Sequence, residues 1–87
     1  MNTKISTKVI DILKKDFSYA DFAMNRLLTE MRPYEKKYSM SWKDFVDKFE
    51  AGKLGDDRIW FRWYGLALST KDWDDTKKEI KKTIGTS

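Results

Sequence analysis

The chain contains no cysteine and no histidine among its 87 residues. The first absence excludes disulfide bonds and thiolate metal sites, and the second removes the commonest general base and metal ligand. A serine or threonine nucleophile would therefore lack an imidazole partner. These absences lead us to expect a protein that is not an enzyme and that uses no metal and no cofactor.

Turn-forming residues are also scarce, since the chain has one proline and four glycines. A charged share of 37% is typical of helices with solvated faces. No apolar run approaches the roughly 18 residues of a membrane span, and the first residues lack the apolar core of a signal peptide. We therefore expect one all-α domain, residues 1–87, located in the cytoplasm and without membrane contact.

The net charge of +4 is unevenly distributed. Met1–Tyr38 carries eight basic and five acidic residues, whereas Ser41–Asp57 carries three basic and five acidic ones. This basic excess is weaker than the dense stripe of a dedicated nucleic-acid-binding protein. A small basic nucleic-acid-binding module nevertheless remains an alternative. Its contacts would come from Lys14, Lys15, Arg58, Arg62, Lys77, Lys78, Lys81 and Lys82.

Two helices are predicted in the first half of the chain. The first covers residues 6–17, with Ser6 or Thr7 as its N-cap. Ser18, with an acidic residue three positions later, predicts the N-cap of a second helix that runs to Tyr38. Pro33 predicts a kink or break in that helix near residues 29–32. Alternating polarity over residues 4–9 leaves a short N-terminal strand, as in a ribbon-helix-helix DNA-binding arm, open as an alternative.

The next helix has the clearest start and stop signals in the chain. Ser41 predicts its N-cap, with Asp44 at the third position, and Gly52 predicts the left-handed residue that follows its end. The sequence therefore predicts a short helix over Trp42–Ala51.

The last helix follows the acidic pair Asp56 and Asp57, which suits the positive end of a helix dipole. Apolar residues then recur at helical spacing from Ile59 to Ile84. Gly65 and a capping sequence that begins at Ser69 leave open whether this is one helix or two. The expected architecture is a small bundle of four to five helices with a long C-terminal helix.

The block from Ile59 to Tyr64 places aromatic rings on several sides of one helix. Either other helices of the chain or a protein partner must cover them, and Trp, Tyr and Arg are the residues that dominate binding hot spots. The candidate partner-binding residues are Trp60, Arg62, Trp63, Tyr64, Asp56 and Asp57.

The last three-fifths of the chain contains EKKYSMS, then Phe45, FEAGKLGDD and WYGL. These segments resemble the pattern EKKYGMS…F…FExGxLGDD…WYxL of small archaeal and bacterial helical proteins. Some of those proteins look like the antitoxin half of toxin–antitoxin pairs. The resemblance implies a non-catalytic protein that binds and neutralises a toxin-like protein partner. A structural homodimer formed through the C-terminal heptads is a further alternative.

Overall fold

The computed structural model describes residues 6–85, which form three helices. These are α1 (Thr7–Tyr38), α2 (Trp42–Glu50) and α3 (Arg58–Gly85). Helices α1 and α3 lie antiparallel along each other, and α2 packs against the N-terminal end of α3. The all-α class and the long C-terminal helix are confirmed, whereas the predicted four to five helices are corrected to three in the described part of the chain.

The two helices predicted before residue 39 are one helix, so the N-cap prediction for Ser18 is wrong. Helix α1 begins after Ser6, whose hydroxyl oxygen accepts a hydrogen bond from the Val9 N–H at 3.2 Å. Helix α3 packs along α1 on both sides of position 18, because the Lys77 ammonium lies 5.2 Å from the centroid of the Phe17 ring and also bonds Asp21 at 2.8 Å. Continuous packing thus outweighs the local capping signal. Residues 4 and 5 of the alternative strand lie outside the described residues, and the helix already includes Thr7.

Pro33 does not end α1, so of the predicted kink or break near residues 29–32 the break does not occur. A proline at this position removes the N–H that would bond the Thr29 carbonyl, and both residues are exposed, so water can solvate that oxygen. Met31 is fully buried and Tyr34 stacks on Trp63, which hold the helix against the core on both sides of the proline.

Helix α2 begins at Trp42 as predicted and ends at Glu50, one residue earlier than expected. The Ser41 hydroxyl accepts from the Asp44 N–H at 3.1 Å, and the Glu35 carboxylate of α1 accepts from the Trp42 N–H at 2.8 Å. At the other end Gly52 has a φ of 72°, and the Lys53 N–H reaches back to the Lys48 carbonyl at 3.0 Å. This is the Schellman pattern that a left-handed residue permits.

Replacing Gly52 with alanine will destabilise the protein by about 1 kcal/mol, because a Cβ disfavours the left-handed backbone. A Cβ there would meet no atom within 4 Å, so the cost is conformational and not steric. Gly52→Asn is the matched control and should lose less, since asparagine tolerates this conformation. Urea unfolding of the three proteins checks the order. Equal midpoints for the alanine variant and the wild type would contradict it.

Helix α3 is continuous through Gly65 and Ser69. It begins after Asp57, whose carboxylate accepts from the Ile59 N–H at 3.1 Å and acts as the N-cap. Thr70 is fully buried, and its hydroxyl donates to the Leu66 carbonyl one turn earlier at 2.8 Å. A satisfied hydroxyl explains why a polar residue in the apolar stripe does not interrupt the helix.

The core lies where all three helices meet. Its fully buried members are Met31 of α1, Phe45 of α2, and Trp63 and Ala67 of α3. The Phe45 and Trp63 rings are nearly parallel, with centroids 3.9 Å apart and an angle of 4° between their planes. The Trp63 indole N–H is buried and has no hydrogen-bond acceptor among the described residues. Stacking must therefore outweigh the cost of one unpaired donor.

Candidate protein-binding surface

The predicted aromatic contact residues are mostly covered by the chain's own helices. Trp63 is fully buried, and Trp60 is half-buried against Tyr38 of α1 at 4.6 Å between ring centroids. Tyr64 stacks on Phe49 of α2 at 4.3 Å. A partner therefore cannot reach Trp63 in this fold, and its placement in the predicted contact set is corrected. Trp60 and Tyr64 present only part of their surface.

Tyr64 is further fixed by its hydroxyl, which donates to the Glu50 carboxylate at 2.7 Å. This hydrogen bond, with smaller effects from burial and from the Glu50 charge, raises the pKa of Tyr64 above its ordinary value of 10.0. The neutral phenol therefore persists throughout the physiological range. The contact ties the end of α2 to α3, which is a structural role.

The remaining predicted contact residues lie at the start of α3. Asp57 caps the helix, and Asp56 is exposed in the turn that precedes it. Arg62 is exposed. The structure does not bring the acidic pair together with the aromatic block into one flat surface, since the rings face α1 and α2.

The most exposed rings of the fold lie elsewhere, on α1. Tyr19 is 62% exposed and Phe22 is 60% exposed. The Tyr19 ring meets the Trp73 ring of α3 edge-on, with centroids 5.4 Å apart. Together with Ala23 and Ser69 these side chains line a shallow surface depression between the two long helices. We name this feature the α1–α3 groove; its lining is Tyr19, Phe22, Ala23, Arg26, Leu27, Glu30, Ser69 and Trp73.

Sequence reasoning missed this groove, although a signal was present. The buried stripe of α1 includes Ala20 and Met31. Tyr19 and Phe22 are spaced three apart on a different side of the helix, where a solvated helix would place polar residues. Arg62 is the one predicted contact residue that shares the groove's side of α3, because positions 62, 66, 69 and 73 follow at intervals of four and three.

The basic residues of the nucleic-acid alternative fall into two groups. Lys14 and Lys81 border one surface depression where the start of α1 meets the end of α3, with Lys15 and Lys82 exposed nearby in sequence. Arg58 and Arg62 lie near the opposite end of α3, about 30 Å away along a helix that rises 1.5 Å per residue. Lys77 and Lys78 are paired with Asp21 and Asp74 at 2.8 and 2.9 Å. The fold therefore does not align these cations into one stripe.

Hydrogen bonding with Lys78 lowers the pKa of Asp74 below its ordinary value of 3.8, although partial burial opposes the shift. The same bond raises the pKa of Lys78. Both groups are thus charged near neutral pH, and each neutralises the other. Lys78 is for this reason a weaker candidate for phosphate binding than the unpaired cations.

Two further properties concern residues 6–85. In this part of the chain no three acidic side chains come close enough to hold a metal ion. No helix there combines the length and the apolar character that crossing a membrane requires.

Comparison with known proteins returned no matching family model, no matching curated protein and no matching solved structure.

Proposed function

We propose that this chain is a non-catalytic protein-binding module that acts in the manner of an antitoxin and neutralises a cognate protein partner. One observation carries the proposal: Tyr19 and Phe22 are more than half exposed beside the Trp73 ring. Exposed apolar area costs about 25 cal/mol per Å² relative to burial. Tyr, Trp and Arg are also the residue types that supply most binding energy at protein interfaces.

The shape of the molecule supports a helix as the bound element. The described residues extend over 54 × 23 × 18 Å, with a Cα radius of gyration of 16.8 Å. A compact chain of this length would have about 12 Å. Helix α2 packs at the core, near Met31 and Trp63, and leaves the other end of the α1–α3 pair two helices thick. A partner helix in the α1–α3 groove would supply a third layer.

The charges at the groove indicate which charges such a helix would carry. Arg26 and Glu30 both line it, one turn apart on α1, and Arg62 lies on the same side of α3. A partner helix with an apolar face and charges of both signs along its edges would match this border. Charged edges of this kind contribute specificity more than affinity.

Replacing Tyr19 and Phe22 with serine will weaken partner binding by about 1,000-fold, since two hot-spot rings each contribute about 2 kcal/mol. The full-length tagged protein is first used to isolate bound material from its own cells, with and without nuclease treatment. Each retained protein is then purified and its dissociation constant measured against the wild type and the variant. The gene beside this one should encode a small toxin, and that product is tested first.

Phe61→Ser is the matched control, because Phe61 is also an exposed ring, at 57%, but lies on another side of α3. It should bind the partner as the wild type does. Equal binding by the Tyr19/Phe22 variant would contradict the proposal. Recovery of nucleic acid alone, with steep loss of binding on addition of salt, would instead favour the basic-module alternative.

A further inference from the structure

The side of α3 that faces away from α1 carries a second exposed surface. It consists of positions spaced by three and four residues, which place them on one line along the helix. Its central members are Phe61, at 57% exposure, and Leu68, at 38%, on either side of the exposed Gly65. We name this surface the α3 outer stripe; its members are Arg58, Phe61, Gly65, Leu68 and Asp72.

No contact within residues 6–85 explains the glycine at position 65. Its φ is not in the left-handed region, and a Cβ at this position would meet no atom within 4 Å. A glycine in a helix interior lowers helix stability relative to alanine, because the unfolded chain has more freedom to lose. What glycine does provide on a helix surface is room for another backbone to approach closely. The neighbouring exposed side chains, Phe61 and Leu68, are apolar, as a helix–helix contact requires.

We propose that the α3 outer stripe binds the same stripe of a second copy of this chain, antiparallel about a two-fold axis at Gly65. This arrangement places Gly65 against Gly65 and pairs residues at equal or nearly equal distances on either side: Arg58 and Asp72 are each seven positions away, and Phe61 and Leu68 are four and three positions away. Phe61 then lies beside Leu68 of the second copy, and Arg58 beside Asp72 of the second copy. Each contact occurs twice, as a two-fold interface demands.

The charges of the stripe select this orientation. Arg58 and Asp72 are both exposed, and neither has an ion-pair partner within residues 6–85. In the antiparallel dimer the positive end of one stripe meets the negative end of the other. A parallel dimer would place Arg58 beside Arg58 and Asp72 beside Asp72, which is unfavourable. Self-complementary charge is the reason to assign a second copy of the chain, and not another protein, to this surface.

A contact with α2 restrains one side chain of the stripe. The Phe61 ring meets the Phe49 ring of α2 edge-on at 5.3 Å between centroids, which restrains it on the surface. The stripe spans about 21 Å of helix, and an interface of this size is at the weak end of specific protein contacts. Because the α1–α3 groove lies on another side of α3, the dimer leaves that groove open.

The test is sedimentation equilibrium of the full-length wild type from about 1 to about 500 μM, where a small interface should dissociate. Arg58→Asp alone and Asp72→Arg alone should each weaken association by about 10-fold or more, since each creates two like-charge contacts. The double variant, Arg58→Asp with Asp72→Arg, should restore it because the charges are exchanged and still complementary. Both positions, 58 and 72, are exposed, and circular dichroism checks that all three variants retain their helices.

Gly65→Ala supplies a readout that a purely structural role would not give. In dilute solution it should raise the urea midpoint of the monomer, since alanine favours the helix, while it weakens the dimer. A wild type that stays monomeric throughout the concentration range would overturn the proposal. A dimer whose affinity does not change with the charge reversals would also overturn it. So would a dimer that is lost when Tyr19 and Phe22 are replaced with serine, because the contact would then lie on another surface.

Discussion

Replacing Trp63 with alanine will destabilise the fold by about 4 kcal/mol, the middle of the range for removing a buried aromatic side chain. Trp63 is fully buried and stacks on Phe45 at 3.9 Å and on Tyr34 at 5.6 Å. Its removal leaves a cavity at the one place where all three helices meet. A domain of this length has only about 5–10 kcal/mol of stability to lose, so the variant should be largely unfolded at moderate temperature.

Phe22→Ala is the matched control for this prediction, because it also removes a ring from a long helix but at a position that is 60% exposed. Its free energy of unfolding should differ from the wild type by less than about 1 kcal/mol. Both variants are unfolded in urea at low protein concentration, so that self-association does not contribute. Similar midpoints for the two variants would show that the core does not lie at Trp63.

Replacing Pro33 with alanine will stabilise the protein by about 2 kcal/mol. A proline inside a helix costs about 3 kcal/mol, and its restraint on the unfolded chain returns up to about 1 kcal/mol. Alanine restores the N–H that donates to the Thr29 carbonyl and removes the clash between the ring and that carbonyl. The site is exposed and α1 is already helical on both sides, so the new bond needs no rearrangement of the core.

Ser18→Ala is the control, since Ser18 is an exposed residue in the same helix with its own N–H available for helical bonding. It should gain no more than about 0.5 kcal/mol, the difference in helix propensity alone. The urea midpoints of the two variants, at an unchanged m-value, give both changes in the free energy of unfolding. A Pro33→Ala variant with an unchanged or lower midpoint would mean that the proline is favoured by contacts in the folded protein.

The proposed function and the proposed dimer are independent, and the variants separate them. Loss of partner binding with Tyr19 and Phe22 replaced, while self-association persists, would support the groove. The reverse pattern for Arg58→Asp would support the outer stripe. If both interfaces are confirmed, a dimer would present two grooves and bind two partner molecules.

Local signals in the sequence were reliable where the structure depends on a few neighbouring residues. The predicted capping residues begin or end their helices, because each makes or permits a hydrogen bond within six residues along the chain. These residues are Ser6, Ser41 and Asp57 at helix starts and Gly52 after a helix end. The same kind of signal was misleading at Ser18 and Pro33. Both are exposed on α1, where packing along α3 adds up over the whole helix and exceeds one local preference.

The sequence by itself determined the all-helical class, the presence of a long C-terminal helix and the α2 boundaries to within one residue. It did so because helix periodicity and capping act over a few residues. It left the continuity of α3 through Gly65 and Ser69 open. Only the tertiary structure decided which rings are buried. Trp63 enters the core and Phe61, two positions earlier, remains on the surface, because α1 and α2 cover one side of α3 and not the other. Exposure depends on which helices pack together, and that is a property of distant pairs in the chain.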